Sequence, residues 1–198
     1  MLKVENVSKS FKKRLVLQDI NLTVDAGELV HISGINGSGK STLFKIIAKL
    51  LAPDQGKVTL GSDDYLGALI ENPGFLEYES GLSNLAFLAK LNQHYDEGKI
   101  RQLMQRFSLD PDDPQAIKNY SIGMRQKVGI IQAVMEDQTI ILLDEPTRGI
   151  DQEGIGQFTE LCHELTSSGK SIVVASHDTI AEMKYDRQLH LENGVLHE

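Results

Sequence analysis

The sequence predicts an α/β fold with a mainly parallel β-sheet, and three observations predict it. A short strand at residues 28–33 leads into a glycine-rich turn, and a helix at residues 42–50 follows directly. Two continuous apolar segments, residues 139–143 and 171–175, are typical of strands buried in a parallel sheet. Between these β-rich parts, apolar residues recur at helical spacing from about residue 83 to residue 135.

The amino-terminal part, up to about Leu60, alternates β-branched and polar residues between turns, which predicts antiparallel strands. A turn at residues 25–28 precedes the strand that reaches the glycine-rich turn. Pro53 and Gly56 mark the end of the helix that follows that turn. The strands predicted in this part lie at residues 2–7, 16–24 and 57–60, and a further short strand is predicted at residues 65–70.

The helical block has no Gly/Ser-type linker at its ends, so we expect a subdomain inserted into the core. Its apolar stripes predict that each helix turns one side toward a core. The predicted helices lie at residues 83–92, 96–107, 121–135 and, after the block, 152–165, before a terminal hairpin that starts at 187–191. The whole chain, 1–198, is then one domain, with 1–71 and 137–198 as the α/β core and 72–136 as the helical subdomain.

Composition excludes several classes of protein. The chain has 198 residues and a net charge of −8 at pH 7, which argues against charge-driven binding of nucleic acid or of an anionic membrane surface. No apolar run approaches the roughly 20 residues that span a bilayer, and the amino terminus lacks the apolar core of a signal peptide. The single cysteine, Cys162, excludes an internal disulfide and is expected to be buried. These features predict a cytosolic protein, or one held at a membrane by a partner.

The glycine-rich turn carries the strongest chemical signal. Residues 34–41 read GINGSGKS and match the phosphate-binding pattern G-x-x-x-x-G-K-[ST] at every fixed position. The glycines let consecutive N–H groups face phosphate oxygens, and the helix amino terminus adds positive charge. Lys40 can reach the β- and γ-phosphates, and Ser41 can ligate Mg²⁺. The residues predicted to bind the nucleotide here are Gly34, Asn36, Gly37, Ser38, Gly39, Lys40, Ser41 and Thr42.

Polar residues follow both apolar strands, where parallel-sheet proteins place ligands. Asp144 can hold Mg²⁺ opposite Ser41, and Glu145 can orient and deprotonate an attacking water. Successive strand residues point in opposite directions, so the two carboxylates can serve two tasks. An ordinary turn is the alternative for these two residues. His177, after the second strand, can donate a hydrogen bond to a γ-phosphate in the transition state, or be structural.

These segments resemble, in order and spacing, the ATP-binding cassette (ABC) ATPases. The segment that discriminates this family is residues 120–127, YSIGMRQK, which corresponds to the family signature L-S-G-G-Q. The resemblance spans nearly the whole chain and implies a phosphate-loop NTPase core whose cofactors are ATP and Mg²⁺. It identifies Asp144 as the Mg²⁺-linked carboxylate, Glu145 as the catalytic base and His177 as the switch histidine.

The resemblance also implies residues that act around the nucleotide or across a dimer. Phe11 falls where the family stacks an aromatic ring on adenine, although an ordinary core phenylalanine is the alternative. Ser121 and Gly123 would cap the γ-phosphate held by an opposite subunit. Asp151 resembles the aspartate of a loop that crosses the dimer interface.

Three departures from the family pattern stand out. Ile122 and Met124 replace a glycine and the glutamine of the signature, while the phosphate-facing positions remain. Glu71 falls where the family usually has glutamine; it could approach Mg²⁺ and ATP, or be a surface carboxylate without a role. The interval from Lys40 to Ser121 is short, which predicts a compact helical subdomain.

The resemblance implies an ATP-hydrolysing subunit that powers transport, in the direction of export, through separate transmembrane permease subunits. A second ABC subunit, in a homodimer or a heterodimer, is the other expected partner, at the cytoplasmic face of the cell membrane and without direct membrane insertion. Residues 68–75 resemble cassettes of the bacterial drug, bacitracin and lantibiotic export group, and residues 72–84 the region that docks the permease. The alternatives are a soluble ABC ATPase on ribosomes or DNA, and a regulatory cassette with little turnover. The sequence does not identify the cargo.

Overall fold

The computed structural model describes residues 1–12 and 14–198. In this part of the chain, nine strands form two sheets, and five α-helices and one short 3-10 helix, Ile117–Asn119, accompany them. The strands are β1 (Leu2–Phe11), β2 (Arg14–Val24), β3 (Leu29–Ser33), β4 (Gln55–Leu60), β5 (Leu66–Leu69), β6 (Ile140–Asp144), β7 (Ser171–Ser176), β8 (Arg187–Glu192) and β9 (Val195–His197). The helices are α1 (Lys40–Ile47), α2 (Gly81–Leu91), α3 (Glu97–Arg106), α4 (Ile122–Val134) and α5 (Gln152–Ser167).

The smaller sheet is antiparallel, as the amino-terminal pattern predicts. Strand β1 lies in its centre and pairs with β2 on one side and β4 on the other, so that Val4 lies opposite Leu22 and Val58. Strand β1 extends to Phe11, beyond the predicted end at residue 7, through shifts of register after Val4 and Val7. Such irregularities interrupt the alternation of inward and outward residues, so the sequence pattern ends at residue 7 although the strand continues to Phe11.

The larger sheet is mainly parallel and has the strand order β5-β6-β7-β3-β8-β9. Strand β3 runs parallel to β7 and β8, and β6 runs parallel to β5 and β7. Every residue of β6 and of β7 is buried, which accounts for their continuous apolar sequences. The predicted terminal hairpin is confirmed, because β9 pairs antiparallel with β8. The carboxyl ends of β3, β6 and β7 therefore meet at one edge of the sheet.

The helices between β5 and β6 share their hydrophobic core with the larger sheet. Met104 of α3 and Ile131 of α4 are fully buried in the same cluster as Val174 of β7. The predicted core-facing stripes are thus confirmed, except at Leu91, which is 68% exposed on α2. Cys162 is buried, and burial raises the pKa of its thiol. Among the helices that the structure describes, none has the length and apolarity to cross a bilayer.

Candidate active site

The glycine-rich loop lies between β3 and α1, as its sequence predicts. Gly37 and Gly39 have φ angles of 81° and 112°, a region that favours glycine, so the backbone can turn sharply into the helix. The first helical hydrogen bond runs from the Leu43 N–H to the Gly39 carbonyl at 2.9 Å. The free N–H groups of the helix amino terminus therefore point into the space above the loop, where an anion is stabilised.

Lys40 is held at the base of this space. Its side chain is only 6% exposed, and Nζ donates hydrogen bonds to the carbonyls of Gly34 at 2.6 Å and Ile35 at 3.3 Å. The same Nζ lies 3.7 Å from Oε1 of Glu145, a residue more than a hundred positions along the chain. The structure therefore brings the basic group of the loop and the carboxylate after β6 together.

The two carboxylates at the end of β6 have different surroundings. Asp144 is buried, and its Oδ1 has no hydrogen-bond partner among the described residues. Burial raises the pKa of Asp144, an effect opposed by the Ser41 hydroxyl, Lys40 and the Glu71 backbone. Glu145 has a φ of 48°, and its backbone is fixed by bonds from its N–H to Ala175 O and from Gln126 Nε2 to its carbonyl. A buried carboxylate oxygen without a partner is suited to a cationic ligand.

Most of the predicted nucleotide-binding residues line one cleft of about 450 Å³. The predicted residues in its wall are Phe11, Asn36, Gly37, Gly39, Lys40, Ser41, Thr42, Glu71, Asp144 and Glu145. Gly34 and Ser38 belong to the same loop; the Gly34 carbonyl accepts from Lys40, and the Ser38 hydroxyl is buried without a partner among the described residues. Phe11 is 45% exposed, so it is not the ordinary core phenylalanine that the sequence left open.

Glu71 lies beside this cleft in a constrained position. It follows β5, has a φ of 54°, and its Oε1 lies 2.6 Å from Nζ of Lys45 on α1. Lys45 and Glu71 are 35% and 55% exposed, so their ion pair contributes little to stability. In this pair the Glu71 carboxylate is directed toward α1, the helix that carries Ser41.

The structure places Ser121, Gly123 and Asp151 outside the lining of the cleft. Ser121 caps α4, and its Oγ accepts from the Met124 N–H at 3.1 Å. Asp151 caps α5 and lies 3.3 Å from Nζ of Lys127, and that ammonium lowers the pKa of its carboxyl. A Cβ on Gly123 would lie 2.2 Å from Gly149 O, so the start of α4 packs directly on the segment before Asp151. Ser121 and Asp151 are exposed on either side of this contact in sequence, while Gly123 is buried in the contact itself.

His177 follows β7 and is 53% exposed, with Nδ1 3.0 Å from Oδ1 of Asp178. It does not contribute to the lining of the 450 Å³ cleft. The position is the carboxyl end of a strand adjacent to both β3 and β6, as the sequence predicts.

Five residues near the site are not among the predicted site residues. Arg14 and Val16 line the main cleft beside Phe11. Asn72, Gln126 and Arg148 line a second cavity of about 280 Å³ that also reaches Ser41, Glu71, Asp144 and Glu145. Gln126 carries a usable signal, since it belongs to the signature segment, and Arg148 lies one turn after Glu145. For Arg14 and Val16, the only signal in the sequence that could have identified them is their position near Phe11.

The oxygen ligands in the cleft fit Mg²⁺. A serine hydroxyl and carboxylates are hard oxygen donors, and the Oδ1 of Asp144 makes no hydrogen bond within the described part of the chain. Within residues 1–12 and 14–198, no three His, Cys, Asp or Glu side chains are grouped as a metal site. An ion here would therefore need oxygens from the nucleotide and from water as well, which is how Mg²⁺ is bound in most nucleotide sites.

Comparison with known proteins agrees with this geometry. Residues 17–148 match the family model described as ABC transporter. The chain is 32% identical over 188 residues to an ABC transporter ATP-binding protein of Bacillus subtilis, which covers 89% of this chain and 61% of the relative. It is 31% identical to a bacitracin transport ATP-binding protein of Enterococcus faecalis, over 100% of this chain and 67% of the relative. It is 30% identical to a lantibiotic transport ATP-binding protein of Streptococcus pyogenes, over 89% of this chain and 80% of the relative. The chain thus spans less than two thirds of the Bacillus protein.

Solved structures show the same fold. A structure described as the ATP-binding subunit of an ABC transporter superimposes with a TM-score of 0.88 at 27% identity, over 99% of this chain and 88% of that one. A dimeric ATP-binding cassette in a post-hydrolysis state, bound to ADP and Pi, gives 0.85 at 26% identity, over 100% of this chain and 97% of that one. With the family model matching well over half of its residues, the chain belongs to the ABC transporter family, as an ATP-binding cassette.

Proposed function

We propose that this chain binds ATP with Mg²⁺ in the 450 Å³ cleft and hydrolyses it to power export through separate permease subunits. The observation that carries the proposal is the approach of Lys40 Nζ to within 3.7 Å of Glu145 Oε1, beside the buried, unpartnered Oδ1 of Asp144. This arrangement combines a phosphate-binding cation, a group that can hold a metal ion and a base at one point. Phosphoryl transfer requires such positioning and charge stabilisation rather than covalent chemistry.

Each residue has one task in the proposed reaction. Phe11 stacks on the adenine, while Lys40 and the loop N–H groups bind the phosphates. Ser41 and Asp144 would hold Mg²⁺, which when bound neutralises part of the phosphate charge. Glu71 lines the same cleft, but its carboxylate is paired with Lys45. Glu145 orients the attacking water and accepts its proton. Thr42, beside Ser41, contributes to nucleotide binding. His177 donates a hydrogen bond to the γ-phosphate as charge develops.

The exposed surface that carries Ser121 and Asp151, next to the buried Gly123, is proposed to face a second cassette subunit. The amino terminus of α4 would then approach the γ-phosphate in the partner's cleft, with the Ser121 hydroxyl and Gly123 N–H as donors. The dimeric relative with ADP and Pi supports this arrangement. Binding of two ATP molecules would close the dimer, and hydrolysis would open it. The division into 1–71 plus 137–198 and 72–136 belongs to this proposal. The cleft and Asp151 belong to the first part, whereas Ser121 and Gly123 belong to the second.

A groove of about 450 Å³ next to Glu71 is proposed to dock the permease. Asn72, Pro73 and Phe75 line it together with three basic residues, Lys118, Arg125 and Arg148, against one acidic residue, Glu77. Arg125 is oriented by a 2.6 Å hydrogen bond to the Lys118 carbonyl. On a chain with a net charge of −8, this positive groove favours an acidic segment of the permease. Glu71 and Asn72 are adjacent, so the groove and the nucleotide cleft can influence each other.

The bacitracin and lantibiotic transport relatives support export of a peptide antibiotic or a similar amphiphilic compound, with the cassette on the cytoplasmic face of the membrane. They favour this function over a cassette on ribosomes or DNA. Glu145 and His177 favour a cassette that turns over ATP rather than a regulatory one.

The substitution Glu145→Gln tests the proposal. The amide keeps the size of the side chain but cannot accept a proton, so we expect steady-state phosphate release to fall by about a hundredfold or more while ATP still binds. With ATP, the variant should run as a dimer in size-exclusion chromatography. Glu160→Gln is the matched control, since Glu160 lies on α5 with its side chain 76% exposed. Full ATPase activity of Glu145→Gln would show that Glu145 is not the base.

A further inference from the structure

His31 is a buried histidine that the proposed reaction does not use. It lies in the middle of β3, three residues before Gly34, and is 0% exposed. Its ring stacks on Tyr185, with ring centroids 4.7 Å apart and an interplanar angle of 23°. Its Nε2 lies 2.8 Å from Oγ of Ser176, the last residue of β7 and 145 positions away in sequence. A polar ring at the centre of a parallel sheet needs a partner to offset its loss of hydration, and here the partner is this single hydroxyl.

The hydrogen bonds around Ser176 determine which nitrogen of His31 carries the proton. Ser176 Oγ lies 2.6 Å from the carbonyl oxygen of Asp178, so the one hydroxyl proton is donated there. The Ser176 oxygen must then accept from His31, which places the imidazole proton on Nε2. Nδ1 has no hydrogen-bond partner among the described residues. Burial and the nearby Lys40 lower the pKa of His31, so the ring stays neutral and keeps this tautomer.

These hydrogen bonds hold the turn that contains His177. Ser176 and Asp178 flank it, and the bond from the Ser176 hydroxyl to the Asp178 carbonyl closes a short turn with His177 at its tip. The side chain of His177 is itself 53% exposed, and its contact in the described chain is with Asp178. Its direction is therefore controlled largely by the backbone of this turn. A hydrogen-bond donor must be aimed at the position where charge develops, so the shape of the turn matters for turnover.

We propose that His31 is a positioning residue: through Ser176 it holds the turn that presents His177 to the γ-phosphate. The inference rests on the proposed function of His177. The hydrogen bond between His31 and Ser176 links β3, the strand that enters the glycine-rich loop, to the turn after β7. The two strands are neighbours, and Ser33 pairs with Ser176. His31 touches no substrate in this role.

The test compares substitutions that keep or remove the donor. His31→Phe keeps an aromatic ring against Tyr185 but has no N–H, and Ser176→Ala removes the relay itself. Each should lower kcat for ATP about tenfold or more with little change in KM, since the phosphate-binding groups are untouched. His31→Gln places an amide N–H near the position of Nε2 and should restore most of the turnover. Thermal unfolding of each variant checks that it is folded. If His31→Phe does not fold, Ser176→Ala alone provides the test.

A double-mutant cycle separates positioning from general destabilisation. If His31 acts through His177, His31→Phe should have no further effect on kcat in a His177→Ala background. Equal losses in both backgrounds, or full turnover of both His31→Phe and Ser176→Ala, would overturn the inference while the ATPase proposal stands. Full turnover of His177→Ala would instead remove His177 from the proposed mechanism, and the role of His31 with it. The proton on Nε2 of His31 is checked independently by NMR of the imidazole nitrogens.

Discussion

The carboxylate of Glu71 adds negative charge to a cleft that already contains Asp144 and Glu145. The substitution Glu71→Gln removes this charge and the ion pair with Lys45. We expect tighter ATP binding by a few-fold at low ionic strength, and a smaller difference at high salt, because exposed charges are screened. Stability should change by less than about 0.5 kcal/mol, since both side chains are substantially exposed.

Titration of nucleotide affinity at two salt concentrations measures the effect of Glu71→Gln. Glu79→Gln provides a control, because Glu79 lies at the turn before α2 and does not line the cleft. An equal change of affinity at both salt concentrations would contradict the electrostatic explanation.

Buried His31 makes stability depend on pH. Its pKa is lowered in the folded protein, chiefly by burial, whereas in the unfolded chain it titrates near its ordinary value of 6.5. As pH falls below that value, the unfolded chain binds more protons than the folded protein, so the free energy of unfolding decreases. Among the described residues, Tyr185 stacks on the ring, Ser176 is hydrogen-bonded to it and Lys40 lowers its pKa, and none of these groups supplies a negative charge that would offset the effect.

Urea denaturation between pH 7.5 and 5.5 checks this prediction, with His31→Gln as the comparison. The native chain should lose more stability over this interval than His31→Gln, whose side chain does not titrate. Contributions from the rest of the chain are common to both proteins and cancel in the difference. If the two proteins lose stability in parallel, His31 is not the titrating group.

At the scale of single elements, two glycines in helices predict opposite effects. A Cβ on Gly123, at the start of α4, would lie 2.2 Å from the backbone oxygen of Gly149. Gly123→Ala should therefore displace α4 from that segment and cost about 1–3 kcal/mol. A Cβ on Gly156, in α5, would meet no atom within 4 Å. Gly156→Ala should thus stabilise the protein by about 0.5–1 kcal/mol, since alanine loses less conformational freedom in a helix.

Chemical denaturation of Gly123→Ala and Gly156→Ala measures both changes in the free energy of unfolding. Both variants replace glycine with alanine, so the two values can be compared directly. A loss of stability in both variants would indicate that α5 is more closely packed than its open position suggests.

Local sequence patterns predict the elements better than their pairing. The period of apolar residues identifies β6, β7 and the helices, because burial on one or both faces leaves a direct trace in sequence. The sequences of the short strands β4 and β5 do not indicate which sheet each strand joins. In the structure β4 belongs to the antiparallel sheet and β5 to the mainly parallel one. The hydrogen bonds of buried Glu136 with Tyr65 and Asn92 likewise join distant segments that no spacing rule connects.

The candidate site follows the same division. Residues 34–41 and Asp144 are predictable because chemistry fixes their spacing and their place after a strand. The role of His31 is not predictable from the sequence. It lies in a strand whose pattern any buried residue would satisfy, and its partner Ser176 is 145 positions away. Its position beside the site becomes visible only once β3 and β7 are paired.

At the scale of the whole molecule, the arrangement predicts that active sites are shared between subunits. Lys40 lies in the cleft, whereas Ser121 lies on a separate surface of the same chain. In a symmetric dimer each site would combine Lys40 of one subunit with Ser121 of the other. Subunits with Lys40→Ala and subunits with Ser121→Ala should each lose most of their turnover on their own.

Mixing the two variants tests this directly. In a mixed dimer both substitutions fall in one site, and the other site has Lys40 and Ser121 intact. If subunits exchange freely, roughly half of the dimers are mixed and the activity per subunit should recover to about a quarter of the native value. Thermal unfolding is needed for Ser121→Ala, because loss of the cap on α4 costs about 1 kcal/mol. No recovery on mixing, with both variants folded and dimeric, would mean that each subunit supplies its own complete site, and that the surface that carries Ser121 and Asp151 has another role.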